Sequence, residues 1–174
     1  MNSRGRRDSP QVSKGGFRII GIDPGSIACG YGVIEKDSRK NLLCLASGTI
    51  NLPRNLPLHE RLLRLYHEIV TVLKEYRPEE AAVEKVFFAK GIKAALNLGH
   101  DRGVVLLALA EEGVAFYEYN PNEMKKAVVG YGKATKEQVQ QMVKVILSLR
   151  EVPLPDSADA LALGICHLNS RLPG

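Results

Sequence analysis

The chain has 174 residues, with 45% hydrophobic and 25% charged side chains and a formal net charge of +5. This length and composition are typical of one globular domain with a sizeable core. They exclude a membrane-spanning helix, because no run of about 18 uncharged apolar residues occurs. Three widely spaced cysteines also exclude a disulfide framework and a zinc knuckle.

Residues 1–15 are rich in Gly, Ser and Arg and show no hydrophobic periodicity. We predict that they form a disordered basic extension, followed by a single domain over residues 16–174. The extension lacks the apolar core of a secretory signal, so we expect a cytoplasmic protein. Its charge can add affinity for polyanions but says little about the function of the domain.

Three strands are predicted first, over FRIIGID (17–23), GYGVIEKD (30–37) and NLLCLASGTINL (41–52). A short connection containing Pro24 and Gly25 joins the first two strands, so we expect an antiparallel hairpin. The apolar first strand ends in a carboxylate, Asp23. Either an Asp-Pro-Gly surface turn or a metal site would explain that carboxylate.

Helices and strands alternate along the rest of the chain. This order predicts an α/β fold, a five-stranded mixed sheet flanked by helices on both faces, with sites at the carboxyl ends of strands. The predicted elements are a helix over 58–76, a strand over 80–86, a helix over 93–113, a strand over 114–121, a helix over 122–130, a helix that begins at the capping pattern Thr135–Gln138, and a last helix over 156–170.

Four carboxylates stand out by their positions. Asp23 ends the first strand and Glu84 the fourth, so both emerge at one edge of the sheet if these strands are parallel neighbours. Asp156 and Asp159 are spaced i, i+3 and therefore share a helix face. Such a cluster is unfavourable unless a cation neutralises it, and carboxylate ligands suit Mg²⁺ or Mn²⁺. The spacing therefore indicates a metal site for phosphoryl transfer.

Each carboxylate also has a structural explanation. Asp23 can favour the turn, Asp156 can be a helix N-cap, Asp159 can complement the helix dipole, and Glu84 can pair with a lysine. Asp23 and Glu84 follow apolar strand residues, where an unpaired charge is costly. That neighbourhood favours a functional role without excluding the alternatives.

A basic segment lies inside the fold. From Glu123 to Arg150 there are six Lys or Arg residues against two Glu. A solvated helical face explains this charge as well as a polyanion site does, so charge alone leaves both open.

The chain resembles the RuvC family of bacterial Holliday-junction resolvases in four collinear segments: IIGIDPGSIACGYGVI, AAVEKVFFAKGIKAALNLGHDRGV, NPNEMKKAVVGYGKATKEQVQQMV and PDSADALALGICH. The resemblance implies a ribonuclease-H-like fold and a homodimer that cuts two strands of a four-way DNA junction symmetrically. It implies 5′-phosphate and 3′-hydroxyl ends, a role in recombination and DNA repair, and cooperation with the RuvA and RuvB branch-migration complex. The family's ligands for two Mg²⁺ ions, which Mn²⁺ can replace, fall on Asp23, Glu84, Asp156 and Asp159.

The resemblance also implies DNA contacts. Lys125 and Lys136 align with family lysines that contact DNA near the site, and Lys126 and Lys133 are further candidates. Phe87 matches an aromatic residue that meets unstacked bases, although burial in the core is an open alternative.

The helix that starts near Lys93 is the family's dimer contact, and an apolar side formed by Val104, Leu106 and Leu107 is consistent with that role. Core packing explains these three residues equally well. Asp101 departs from what we expect of the family, and we interpret it as a solvated partner of Arg102 or a lysine.

Two other classes of protein remain to be considered. An actin-like phosphotransferase also begins with an Asp-x-Gly hairpin, but it needs two lobes and a much longer chain. A catalytically silent junction-binding scaffold would explain the basic segment, but it has no use for four carboxylates beside its DNA track.

Overall fold

The structure is a computed structural model that describes residues 16–85 and 91–171. Within these residues it contains five strands and five helices. In chain order they are β1 (Phe17–Pro24), β2 (Ala28–Lys36), β3 (Leu42–Asn51), α1 (Leu58–Tyr76), β4 (Glu80–Glu84), α2 (Ile92–Glu111), β5 (Ala115–Tyr119), α3 (Pro121–Val129), α4 (Lys136–Ile146) and α5 (Pro155–Ser170).

The strands form one mixed sheet in the order β3-β2-β1-β4-β5. β1, β2 and β3 are antiparallel neighbours, and the register of the predicted hairpin pairs Asp23 with Gly30. β4 lies parallel to β1 and β5 lies parallel to β4. The sheet therefore confirms the predicted five-stranded architecture, and it brings the carboxyl ends of β1, β4 and β5 to one edge.

Alternate strand residues build two separate cores, as the two-residue period of a strand requires. Ile20, Ile22 and Val33 pack with α1 and α2 on one face. Ile19 and Ile34 pack with α3, α4 and α5 on the other face. The prediction of helices on both faces is thus confirmed.

Glycines let α5 lie directly on the sheet. A Cβ added at Gly21 would overlap the carbonyl oxygen of Ala160, and one added at Gly32 would lie 2.5 Å from Cδ2 of Leu161. The helix supplies small residues to the same contact, with Ala158 and Ala160 fully buried. Close packing of this kind tolerates no added methyl group without a shift of the helix.

The far end of α5 is held by a polar contact in the core. His167 is 1% exposed. Its Nε2 lies 2.6 Å from a carboxylate oxygen of Glu80, and its Nδ1 lies 2.8 Å from the hydroxyl of Tyr119. Buried ring nitrogens need such partners. The contacts tie the carboxyl half of α5 to β4 and β5 and so fix the direction in which its first turn points.

Some predicted boundaries differ. The strand predicted to reach residue 121 ends at Tyr119, because Asn120 caps α3 in a capping box with Glu123. The last helix begins at Pro155 with Leu154 as its N-cap. No helix in the described ranges has the length and apolar character that crossing a membrane requires. The predicted basic extension over residues 1–15 lies outside the described residues.

Candidate functional site

Asp23 and Glu84 lie side by side at the carboxyl edge of the sheet. Ile22 of β1 pairs with Val83 of β4, so the next residue of each strand is one of these carboxylates. Strand alternation puts both on the face covered by α5. The two side chains are close enough for Glu84 to raise the pKa of Asp23. The expectation that the first and fourth strands are parallel neighbours is confirmed.

α5 brings two more carboxylates to the same edge. A Cβ added at Gly30, the strand partner of Asp23, would lie 3.2 Å from Cβ of Asp156 and would overlap the carbonyl oxygen of that residue. Asp159 follows one turn later and interacts electrostatically with both Asp23 and Glu84. Because the N-cap of α5 is Leu154, the interpretation of Asp156 as an N-cap is wrong.

Burial and neighbouring carboxylates change the acidity of Asp23 and Asp159. Burial, followed by the charge and hydrogen bond of Glu84 and the charges of Asp159 and Asp156, raises the pKa of Asp23 to about 8. Burial also raises the pKa of Asp159, against the opposing charge of Lys136. Like charges gathered in a partly buried site favour the binding of a proton or a cation.

The donor set of this edge is all oxygen, which suits a hard divalent cation. Within residues 16–85 and 91–171, no three acidic, histidine or cysteine side chains are close enough together to hold a metal ion as they stand. The like charges at this edge repel one another. A cation would offset that repulsion, so the composition of the edge fits a metal whose binding draws the side chains together.

Lys136 is the basic residue that the structure brings to the carboxylates. It is the first residue of α4, where a capping box between Thr135 and Gln138 fixes the start of the helix. Its Nζ lies 3.6 Å from Oδ2 of Asp159, while 66% of its side chain remains exposed. Lys136 can therefore reach both a carboxylate and a ligand in solvent.

The other predicted lysines are placed differently. Lys125 is half-buried on α3, and Lys133 is exposed in the connection between α3 and α4. Lys126 lines a groove together with Cys166 and Asn169 of α5. At about 1.5 Å per residue, Cys166 is about 10 Å farther along the helix than Asp159. The structure thus does not bring Lys126 to the carboxylates, and Phe87 lies outside the described residues.

Asp101 and Arg102 correct one expectation. Asp101 is 0% exposed, so it is not a solvated ion-pair partner. It faces the core formed by α1 and α2, near Arg61, whose charge opposes the rise that burial causes in the pKa of Asp101. Arg102 instead forms an ion pair with Glu118 and donates a hydrogen bond of 2.8 Å to the carbonyl oxygen of Glu84. It thereby holds the end of β4.

Sequence reasoning missed the glycines that admit α5 to the edge. Gly21 lies two residues before Asp23, and Gly30 and Gly32 lie opposite on β2. The signal was present as alternate glycines in two predicted strands, which marks the close approach of another backbone. Arg102 carried no comparable signal, because its acceptor is a backbone carbonyl.

Comparison with known proteins adds an independent finding. The family model described as crossover junction endodeoxyribonuclease RuvC matches residues 19–167. The protein of that description from Desulfitobacterium hafniense (strain DSM 10664 / DCB-2) is 49% identical over 153 residues, which are 87% of this chain and 92% of that protein. The one from Thermotoga maritima is 46% identical over 159 residues, which are 90% of this chain and 94% of that protein.

A solved structure has the same fold. T. thermophilus RuvC in complex with Holliday junction substrate superimposes with a TM-score of 0.79 at 34% sequence identity, covering 87% of this chain and 93% of that chain. The fold assigned above from strand order and helix placement is thus the ribonuclease-H-like fold of that protein.

Proposed function

The chain belongs to the RuvC family of crossover junction endodeoxyribonucleases, and we propose that it resolves four-way DNA junctions by paired, symmetric phosphodiester hydrolysis. The products would be 5′-phosphate and 3′-hydroxyl ends, which a ligase can reseal during recombination and repair. The proposal rests mainly on one observation: four carboxylates lie at the same edge of the sheet, Asp23, Glu84, Asp156 and Asp159.

The proposed cofactor is Mg²⁺, two ions per site, with Mn²⁺ able to substitute. Asp23, Glu84, Asp156 and Asp159 would hold the ions, because an all-oxygen donor set prefers hard cations and because burial, followed by the neighbouring carboxylates, raises the pKa of Asp23. When bound, such ions lower the pKa of an attacking water and stabilise a leaving oxygen. Asp23, at the centre of the carboxylate interactions, would contact both.

The proposed role of each lysine depends on its distance from the carboxylates. Lys136, beside Asp159, would bind the scissile phosphate or its neighbour and reduce the repulsion between that phosphate and the carboxylates. Lys125 and Lys133, on and after α3, would contact flanking phosphates. Lys126 would act farther out, since it lies over the carboxyl half of α5. Phe87 would stack on an unpaired base near the crossover.

We further propose that two copies pair through α2. Ile92, Leu96 and Leu107 are 82%, 59% and 61% exposed, which is unusual for large apolar side chains on one helix. Gly99 and Gly103 lie along the same face, and a Cβ at either would meet nothing within 4 Å. Small residues there allow two helices to approach closely.

The side of α2 that was expected to form the dimer contact is only partly available. Val104 and Leu106 are partly buried and pack against the core shared by α1 and α2, so of the three residues first considered only Leu107 is available to a second copy. Cooperation with RuvA and RuvB and DNA contacts by the basic extension are also proposals, for which the described residues show no dedicated surface.

The other two classes differ in what they predict. A phosphotransferase of the actin type would need a second lobe, whereas this chain already spans 92% of a nuclease relative. A silent scaffold would bind junctions without cutting them. Cleavage of a synthetic four-way junction with and without Mg²⁺ separates these alternatives from the proposed activity.

The decisive variant is Asp23→Asn. It should fold and bind the junction but lose cleavage, because the substitution removes the central carboxylate charge. Asp37→Asn is the matched control: Asp37 lies beyond the far end of β2, and an Asn oxygen can still accept the hydrogen bond from the backbone of Asn41. Full cleavage by Asp23→Asn would exclude Asp23 as a metal ligand and remove the main support for the proposal.

A further inference from the structure

A second basic feature lies on the opposite face of the sheet from α5. An open cavity of about 670 Å³ is formed by the β1–β2 turn and the amino-terminal ends of α1 and α2. We call it the Arg54 groove. Among the described residues, its lining includes no acidic side chain; beside apolar residues it includes three cationic and two polar ones, Arg54, Arg61, Lys93, Ser26 and Asn97. A groove of this composition selects anions.

The groove is close to the carboxylate edge. Ser26 follows Asp23 by three residues, and at about 3.3–3.6 Å per residue their Cα atoms are at most about 11 Å apart. The β1–β2 turn therefore forms both one boundary of the groove and one end of the carboxylate site. A strand bound at the carboxylates that crosses this turn enters the groove.

Two of the three cations are available to a ligand. Arg54 and Lys93 are exposed, and neither forms an ion pair within the described ranges. Arg61 has a structural role. It donates a hydrogen bond to the carbonyl oxygen of Ser26, and its charge interacts with the buried carboxylate of Asp101. Arg61 is thus engaged within the fold, and the cations open to a ligand are Arg54 and Lys93.

The two sides of α2 serve different surfaces. Lys93 and Asn97 are spaced i, i+4 and face the groove, whereas Gly103, in the middle of the exposed apolar face, lies about 80° and about 120° around the helix from them. Ile92 lines the groove and also belongs to the apolar face, so the two surfaces meet at the start of α2, with Lys93 on the groove side. The groove would then continue the DNA-facing edge of each subunit.

We propose that the Arg54 groove binds a backbone phosphate of the DNA, a few nucleotides from the phosphate that is cut. The inference rests on the proposed nuclease function and adds a binding subsite to it. Arg54 and Lys93 would hold the strand as it leaves the carboxylates over the β1–β2 turn. They are positioning residues, since they touch neither the scissile phosphate nor the carboxylates.

The test compares wild type with the double variant Arg54→Ala/Lys93→Ala. Junction affinity should fall about tenfold near 0.1 M salt, and the slope of log affinity against log salt should become shallower by about one, as for the loss of one phosphate contact. The control Lys36→Ala/Arg39→Ala removes the same charge at the opposite end of the sheet and should keep the wild-type slope.

A second arm locates the contact. Single phosphates that flank the cut are replaced by neutral methylphosphonates, and affinity is measured for both proteins. At one flanking position the replacement should weaken wild type but not the double variant, because both changes remove the same contact. Additive losses at every position, or an unchanged salt slope, would overturn the groove as a phosphate site.

The results distinguish a failure of the proposed nuclease function from a failure of the Arg54 groove as a phosphate site. If wild type neither binds nor cuts a four-way junction, the proposed function fails and the groove inference fails with it. If wild type binds and cuts but the double variant behaves like its control, the nuclease proposal stands and the groove inference alone is wrong.

Discussion

Gly21 of β1 and Ala160 of α5 meet backbone to backbone, with no room for a Cβ between them. This contact sets the height of α5 above the sheet. The height in turn determines whether Asp156 and Asp159 reach Asp23, because both lie in the first turns of the helix. Stability and the geometry of the carboxylates therefore depend on the same glycine.

Gly21→Ala should destabilise the protein by about 2–3 kcal/mol or more, since an added methyl group would overlap a main-chain oxygen that cannot move alone. Urea unfolding followed by circular dichroism measures the change. Gly132→Ala is the matched control, because the nearest atom to an added Cβ lies 3.4 Å away. Equal stability of the two variants would show that α5 does not rest on Gly21 as described.

Lys136→Ala should reduce cleavage by about ten- to a hundredfold while changing the free energy of unfolding by less than about 1 kcal/mol, because the Lys136 side chain is 66% exposed and its Nζ lies 3.6 Å from Asp159. Lys126→Ala should act mainly on DNA affinity, since Lys126 lies over the other half of α5. Single-turnover cleavage at saturating enzyme separates the two effects. Identical defects would mean that position along α5 does not distinguish these lysines.

Asp101 predicts an unusual dependence of stability on pH. Neither of its carboxylate oxygens has a hydrogen-bond partner among the described residues, and burial raises its pKa above the ordinary value. The folded state thus binds this proton more tightly than the unfolded state does. The contribution of Asp101 to stability is present at low pH and is lost as pH rises from the ordinary pKa through the raised one.

Asp101→Asn should accordingly match wild type near pH 4 and be more stable at neutral pH, by about 1 kcal/mol or more. Urea unfolding from pH 4 to 8 tests this expectation, with Asp37→Asn as an exposed control. A constant difference across the pH range would contradict the assignment of the raised pKa to Asp101, and a less stable variant at neutral pH would show that Arg61 outweighs burial.

Leu107→Glu should convert a dimer into a monomer, because it places a charge in the exposed apolar face of α2. Sedimentation velocity reports the mass, and circular dichroism reports whether the monomer is folded. Leu63→Glu on α1 is the control, since Leu63 is 56% exposed but has no role in the proposed interface. A variant that remains dimeric would place the interface elsewhere.

Local patterns predicted the strands and the carboxylates well. Asp23 and Glu84 each end a short apolar run, which is visible without any knowledge of pairing. The side-by-side arrangement follows from parallel β1 and β4, a topology that the alternation of strands and helices indicates. The spacing of Asp156 and Asp159 required only a helix.

Long-range packing was harder to predict. Asp101 looks like a surface residue, since it lies between His100 and Arg102, and only the contact between α1 and α2 shows that its side of the helix is buried. Lys126 and Lys136 belong to one basic segment, but the turn between α3 and α4 sends them to different parts of α5. Such differences depend on how helices pack, which periodicity does not specify.

The construction of the carboxylate edge from β1, β4 and α5 also bears on synthesis of the protein. Residues 155–170 supply two of the four acidic groups, and α5 packs on strands β1, β2 and β4. A nascent polypeptide that ends before Pro155 would carry the basic segment but an incomplete centre. The carboxylate centre is therefore complete only when the last helix of the described residues has been made.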